Sequence, residues 1–145
     1  MRTLIIGGPM CGKSTLAGKL RAERGLDMFL CTDTVAQAHR GRTVGALYAP
    51  SRFDNDWSGL SLWVAENWLT KPGPWILEGV AAIRALRKHR NENETDVLPC
   101  DEIIWMAEPQ GSITAKQRTM LETHDGWVHD MIDDWPAFAG MVVIQ

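Results

Sequence analysis

Short apolar runs alternate along the chain with stretches spaced three and four residues apart. Residues 3–6 form the first run and predict a buried strand. Residues 14–24 predict a helix, with Leu16, Ala17 and Leu20 on one face and Gly25 in the place of a C-cap glycine. Met28-Phe29-Leu30-Cys31 is a second strand, ending at Thr32-Asp33. Residues 35–58 carry the weakest periodicity, and Asp54 and Asp56 beside Asn55 read as turn residues. Residues 59–70 predict a helix burying Leu60, Trp63, Val64 and Trp68, stopped by Lys71-Pro72-Gly73-Pro74. Its tryptophans read as core.

Trp75-Ile76-Leu77 is a third strand, ending at Glu78-Gly79. The next helix, about 80–90, buries Val80, Ile83 and Leu86 and sets Arg84, Arg87, Lys88 and Arg90 opposite. Glu102-Ile103-Ile104-Trp105-Met106 is a fourth strand, ended by Pro109 and Gly111. Thr114 and Gln117 fit a capping box. They open a helix that carries Met120, Leu121, Trp127, Val128, Met131 and Trp135 at helical spacing. Met141-Val142-Val143-Ile144 is a fifth strand. Alternating strands and helices predict an α/β fold: a five-stranded, mainly parallel sheet with helices on both faces.

A chain of 145 residues, 45% apolar and 23% charged, suits one globular domain, 1–145. The net charge of −3 supplies no basic footprint for long duplex nucleic acid. Three cysteines cannot all pair and none sits in a C-x-x-C arrangement, which suits a reduced, cytoplasmic setting. The apolar stretch before Gly7 is too short for a signal peptide, and no run reaches transmembrane length. Membrane partners are therefore not expected. A closing strand with no helix after it leaves room for a homodimer.

The chemistry concentrates at the first strand–helix junction. Gly7, Gly12, Lys13 and Ser14 satisfy G-x-x-x-x-G-K-[ST], the phosphate-binding loop, with a strand before and a helix after as the motif requires. Gly7, Gly8, Pro9, Met10, Cys11, Gly12, Lys13, Ser14 and Thr15 are the candidate nucleotide-binding residues. Glycines let successive N–H groups turn inward as an anion nest, and the helix aims its positive end at the same place. Lys13 can reach the β- and γ-phosphates of ATP (or GTP). The Ser14 hydroxyl is a hard ligand suited to Mg²⁺.

Asp33 lies at the carboxyl end of the second strand, where open α/β sheets bind ligands. It is the candidate general base, with the N-cap of a helix beginning at Thr34 as the alternative. Glu78, ending the third strand, is the candidate second acid, holding Mg²⁺ through water. Arg40, Arg42, Arg52 and Arg84 are candidate acceptor-binding cations, set in part among Tyr48 and Phe53. Lys116 and Arg118 fall in the first turn of the last helix, where cations oppose the dipole unless an anion binds there. Arg118 is the candidate for stabilising charge on the transferring phosphoryl group, with Lys116 as substitute. His124 and His129 are five apart, which does not place them on one helical face, so a metal site is not assigned.

Gly7–Thr15, Asp33, Glu78-Gly79 and the basic residues after the fourth strand together resemble the small P-loop kinases. These include nucleoside monophosphate, shikimate-type and polynucleotide kinases. The resemblance implies a sheet order of 2-3-1-4-5, an acceptor-side insertion at 34–72 and a short lid at 109–118. It departs from adenylate kinase after the third strand, where Glu78-Gly79-Val80-Ala81-Ala82 stands for Asp-Gly-Phe-Pro-Arg. It departs from polynucleotide kinases at Ala36, where they carry an arginine. The expectation is an ATP- and Mg²⁺-dependent kinase acting on a hydroxyl of a nucleoside, nucleic-acid end or small metabolite. The alternatives are a nucleoside monophosphate kinase and a non-kinase nucleotide-binding switch.

Overall fold

The structure, a computed structural model, describes residues 1–40 and 43–145, the side chains of His39 and Arg40 excepted. In chain order the elements are β1 (Arg2–Ile6), α1 (Lys13–Arg24), β2 (Phe29–Thr34), β3 (Leu47–Ala49), α2 (Trp57–Asn67), β4 (Trp75–Glu78), α3 (Ala82–Glu92), β5 (Glu102–Trp105), α4 (Ala115–Asp134), α5 (Pro136–Met141) and β6 (Val142–Ile144). All strand pairs are parallel, and the order across the sheet is β3-β2-β4-β1-β5-β6.

Among the described residues the sheet thus has six strands, not the expected five, and its order differs from 2-3-1-4-5 by the edge strand β3. That strand is three residues long and half open to solvent, with Leu47 exposed. It carries no buried alternation that could reveal it in the sequence. The remaining strands run β2-β4-β1-β5-β6. Their C-terminal ends share one edge of the sheet, since all are parallel.

Strand periodicity decides which side chain enters which layer. Leu4 and Ile6 of β1 face a large core built with α2, α3, α4 and α5, including Leu60, Val64, Ile83, Leu86, Val128 and Phe138. Ile5 faces the opposite layer, where Ile76, Phe29 and Ile104 meet Ala17 of α1. Both faces of the sheet are therefore covered, as an all-parallel sheet requires.

Helix ends follow their local chemistry. Gly25 closes α1 at φ 64°. The Asp56 carboxylate accepts the Gly59 N–H at 3.0 Å, so Asp56 is a cap, and α2 starts earlier than the apolar spacing suggests. Both capping-box hydrogen bonds between Thr114 and Gln117 are present. The last helix ends at Asp134 rather than continuing through Trp135. Pro136 opens α5, where its missing N–H is no loss. No α-helix begins at Thr34. Instead the Thr34 hydroxyl accepts the Gln37 N–H at 3.3 Å, so the capping alternative for Asp33 is not what forms.

Gly79 follows β4 at φ 140°, and a Cβ there would run into the Thr32 side chain and main chain on β2. Gly79→Ala is expected to cost about 2–4 kcal/mol, the range for combined backbone strain and overpacking. Thr32→Ala in that background should recover only part of the loss, since the backbone strain stays. Denaturant melts check both, and a neutral Gly79→Ala would contradict this packing.

Candidate active site

The loop between β1 and α1 approaches its neighbours closely. A Cβ on Gly7 would lie 2.6 Å from the Met106 carbonyl oxygen, and one on Gly8 would meet Leu121 of α4. At these two glycines the main chain packs against its neighbours with no room for a side chain. Met10 and Gly12 both hold positive φ, 63° and 80°, which turns the main chain through a left-handed conformation twice in three residues. For Met10, a non-glycine, that conformation is strained. The Gln110 N–H bonds the Met10 carbonyl at 2.6 Å and fixes the bend. The buried Lys13 ammonium donates to the Gly8 carbonyl inside the loop.

One cavity of about 890 Å³ opens at this end of the sheet. Loop residues Pro9 to Thr15 line it, together with Asp33 of β2 and Glu78 of β4. Gly7 and Gly8 support the loop from behind and do not line it. The Glu78 carboxylate, 1% exposed, accepts the Ser14 hydroxyl at 3.0 Å. Burial pushes the Glu78 carboxyl up from its ordinary value, opposed by the Cys31 thiol, the Lys13 charge and the Ser14 hydroxyl. The Cys31 thiol beside it is raised too, by burial first and then by the Glu78 and Asp33 charges.

Four features thus meet at this end of the sheet: a loop with two left-handed residues, a buried lysine, a hydroxyl–carboxylate pair and a second carboxylate. Ser14 and Glu78 offer hard oxygens to a cation, and among the described residues Glu78 has no ion-pair partner of its own. Among the described residues no cluster of three or more His, Cys, Asp and Glu is shaped for a metal. A Mg²⁺ that arrives with phosphates and keeps its waters does not need one.

The other expected residues are not gathered here. Arg42 and the Arg40 side chain lie outside the described residues. The Arg52 guanidinium sits 4.6 Å over the Phe53 ring, and Arg84 sits 5.1 Å over Trp127 in a neighbouring cavity. Lys116 and Arg118 are exposed and line neither cavity. From the 109–118 segment it is Gln110 that reaches the loop. Lys19, six residues beyond Lys13 on α1, lines the same cavity. Trp57, Gln37, Met106 and Met120 complete its wall. Lys19 is six residues from Lys13, a spacing that does not share one helical face, so nothing in the pattern marked it. Gln110 carried no signal either.

The three cysteines are free and buried. Among the described residues no helix is long and apolar enough to cross a membrane. No protein-family model matches the chain, and no curated protein matches it at a significant level.

Glu78 also sets a pH dependence. Its folded value lies above its unfolded value, so the folded state holds the extra proton. That contribution is fully present below the ordinary carboxylate range and is lost as pH rises through the raised value. Without nucleotide, the thermal midpoint should fall as pH rises from about 5 toward 8. Glu78→Gln should flatten this slope and raise the midpoint at pH 8, by roughly 2–4 °C for each kcal/mol regained. Circular dichroism melts at stepped pH measure it. An unchanged slope in the variant would contradict the assignment.

Proposed function

We propose that the protein is a phosphotransferase that moves the γ-phosphoryl group of a nucleoside triphosphate, ATP or GTP, to a hydroxyl. The reading follows the small P-loop kinases that the loop, Asp33 and Glu78-Gly79 resemble. The observation that carries it is the single cavity lined at once by Pro9–Thr15, Asp33 and Glu78.

The loop N–H groups and Lys13 donate to the β- and γ-phosphates, whose oxygens replace the Gly8 carbonyl as the acceptor for Lys13. Ser14 and Glu78 would hold Mg²⁺, Glu78 through water. The ion supplies charge neutralisation at the phosphates. Asp33 faces the same cavity from β2, and among the described residues nothing is hydrogen-bonded to its carboxylate. It accepts the hydroxyl proton as the acceptor oxygen bonds to the γ-phosphorus. The bond from that phosphorus to the β–γ bridging oxygen breaks, and the nucleoside diphosphate leaves. Burial of the cavity floor strengthens each of these interactions relative to water. In the present geometry Arg118 has no part in the cavity, and Lys19 is the cation nearest to that role.

Transfer of labelled γ-phosphate from Mg-ATP to a panel of nucleosides, mononucleotides, 5′-hydroxyl oligonucleotides and small polyols tests the reading. Asp33→Asn should lower the rate of transfer to a hydroxyl by about 10²–10⁴-fold. Near-wild-type transfer to a mononucleotide phosphate in that variant would favour a monophosphate kinase, whose acceptor needs no base. Nucleotide binding with no product on any acceptor would favour the switch.

A further inference from the structure

Arg84 and Arg87, one turn apart on α3, both lie over the Trp127 ring of α4, each 5.1 Å from its centroid. Among the described residues neither arginine has an ion-pair partner, whereas Arg90 on the same helix pairs with Asp96 and Asp134. The chain carries a net charge of −3, so carboxylates are not scarce and the gap is local. Two like charges side by side, with no counter-charge, favour an anion from outside.

Arg84 also lines a second cavity, of about 200 Å³, to which no carboxylate contributes. Its Nε is buried. Its two terminal nitrogens are accessible and have no hydrogen-bond partner among the described residues. The hydroxyl of Thr123, an exposed residue of the same wall, has none there either. Burial, and then the Arg87 charge, hold the Arg84 guanidinium below its ordinary value, and an anion beside it would offset both effects. A guanidinium over an indole keeps its N–H rim free to grip an oxyanion. A carboxylate is flat and offers two oxygens. A phosphate ester offers oxygens on more than one side and can meet the guanidinium and the hydroxyl together. The cavity shares Trp57, Val80 and Met120 with the larger one that the loop and Asp33 line, so one ligand can reach both.

On the phosphotransferase reading above, we propose that the small cavity anchors the acceptor by a phosphate ester group that does not itself react. Arg84 and Thr123 hold the phosphate, Arg87 adds charge, and the acceptor's free hydroxyl enters the cavity that Asp33 lines. The acceptor class is then a hydroxyl compound that already carries a phosphate, from a free nucleotide or from the end of a strand.

Calorimetric titration of the full chain, with the loop saturated by a non-hydrolysable Mg-ATP analogue, tests the subsite. The probes are the four nucleosides, their 3′-monophosphates and a mixed-sequence 5′-hydroxyl oligonucleotide. A phosphate-bearing probe should bind at least 10-fold more tightly than its nucleoside. Arg84→Gln should remove that advantage, and Arg84→Lys, which keeps a charge without the fork, should restore part of it. Thr123→Val, at an exposed position, should weaken the same probes a few-fold. Tighter binding by the oligonucleotide than by any monophosphate would name a strand end as the source of the phosphate, and equal binding a free nucleotide. Affinity indifferent to the phosphate, or an advantage that survives Arg84→Gln, would overturn the subsite. So would no binding heat from any phosphate-bearing probe at millimolar concentration. A phosphate advantage lost in Arg84→Gln, with no transfer to any acceptor, would keep the anion subsite and overturn the phosphotransferase reading.

Discussion

The site depends on one buried carboxylate. Glu78 ends the central strand β4 at 1% exposure and is held by the Ser14 hydroxyl from the first turn of α1. This contact ties the first turn of α1 to the strand beside β1, at the end of the loop that joins β1 to α1. Gly79 then lets the chain leave β4 in close contact with Thr32, which sets β2, and with it Asp33, against the same cavity. A carboxylate so deeply buried, with the Lys13 charge offsetting only part of the cost, destabilises the fold at neutral pH. A residue that lowers stability at the mouth of a parallel sheet is a sign of chemistry rather than packing.

The parts of the fold set by local, repeating signals were legible in the sequence. The loop motif needs only its own residues and the elements flanking it. The β1, β2, β4 and β5 runs are buried on both faces, so their apolar character is continuous. Gly25 and the Thr114–Gln117 box mark helix ends by hydrogen bonds made within a few residues. β3 was not legible, because a short edge strand half open to water has no core face to advertise. The division of the last helix at Trp135–Pro136 was masked by apolar spacing that runs straight through it.

Residues whose role depends on distant neighbours were harder. Arg118 and Lys116 had a charge argument, but their helix turns them to solvent, and the loop meets Gln110 instead. Arg84 was singled out as an acceptor-binding cation, and its place against Trp127, in the cavity adjoining that of the loop, depends on how α3 packs on α4. His124 read as structural because its spacing to His129 fits no metal. Its unpaired Nε2 becomes visible only when α4 packs beside α3. The tryptophans divide the same way. Trp68, Trp75 and Trp135 are core, as apolar spacing suggests, whereas Trp57 lines both cavities and Trp127 the smaller one.

Everything functional rests on the loop from Gly7 to Thr15 holding a triphosphate. Calorimetric titration of the full chain with Mg-ATP, beside Lys13→Ala, measures this most directly. The expected result is one site per chain with a dissociation constant at or below the order of 100 µM, lost in the variant because a charge-assisted phosphate contact is gone. No binding heat up to millimolar nucleotide, or equal affinity in Lys13→Ala, would contradict it.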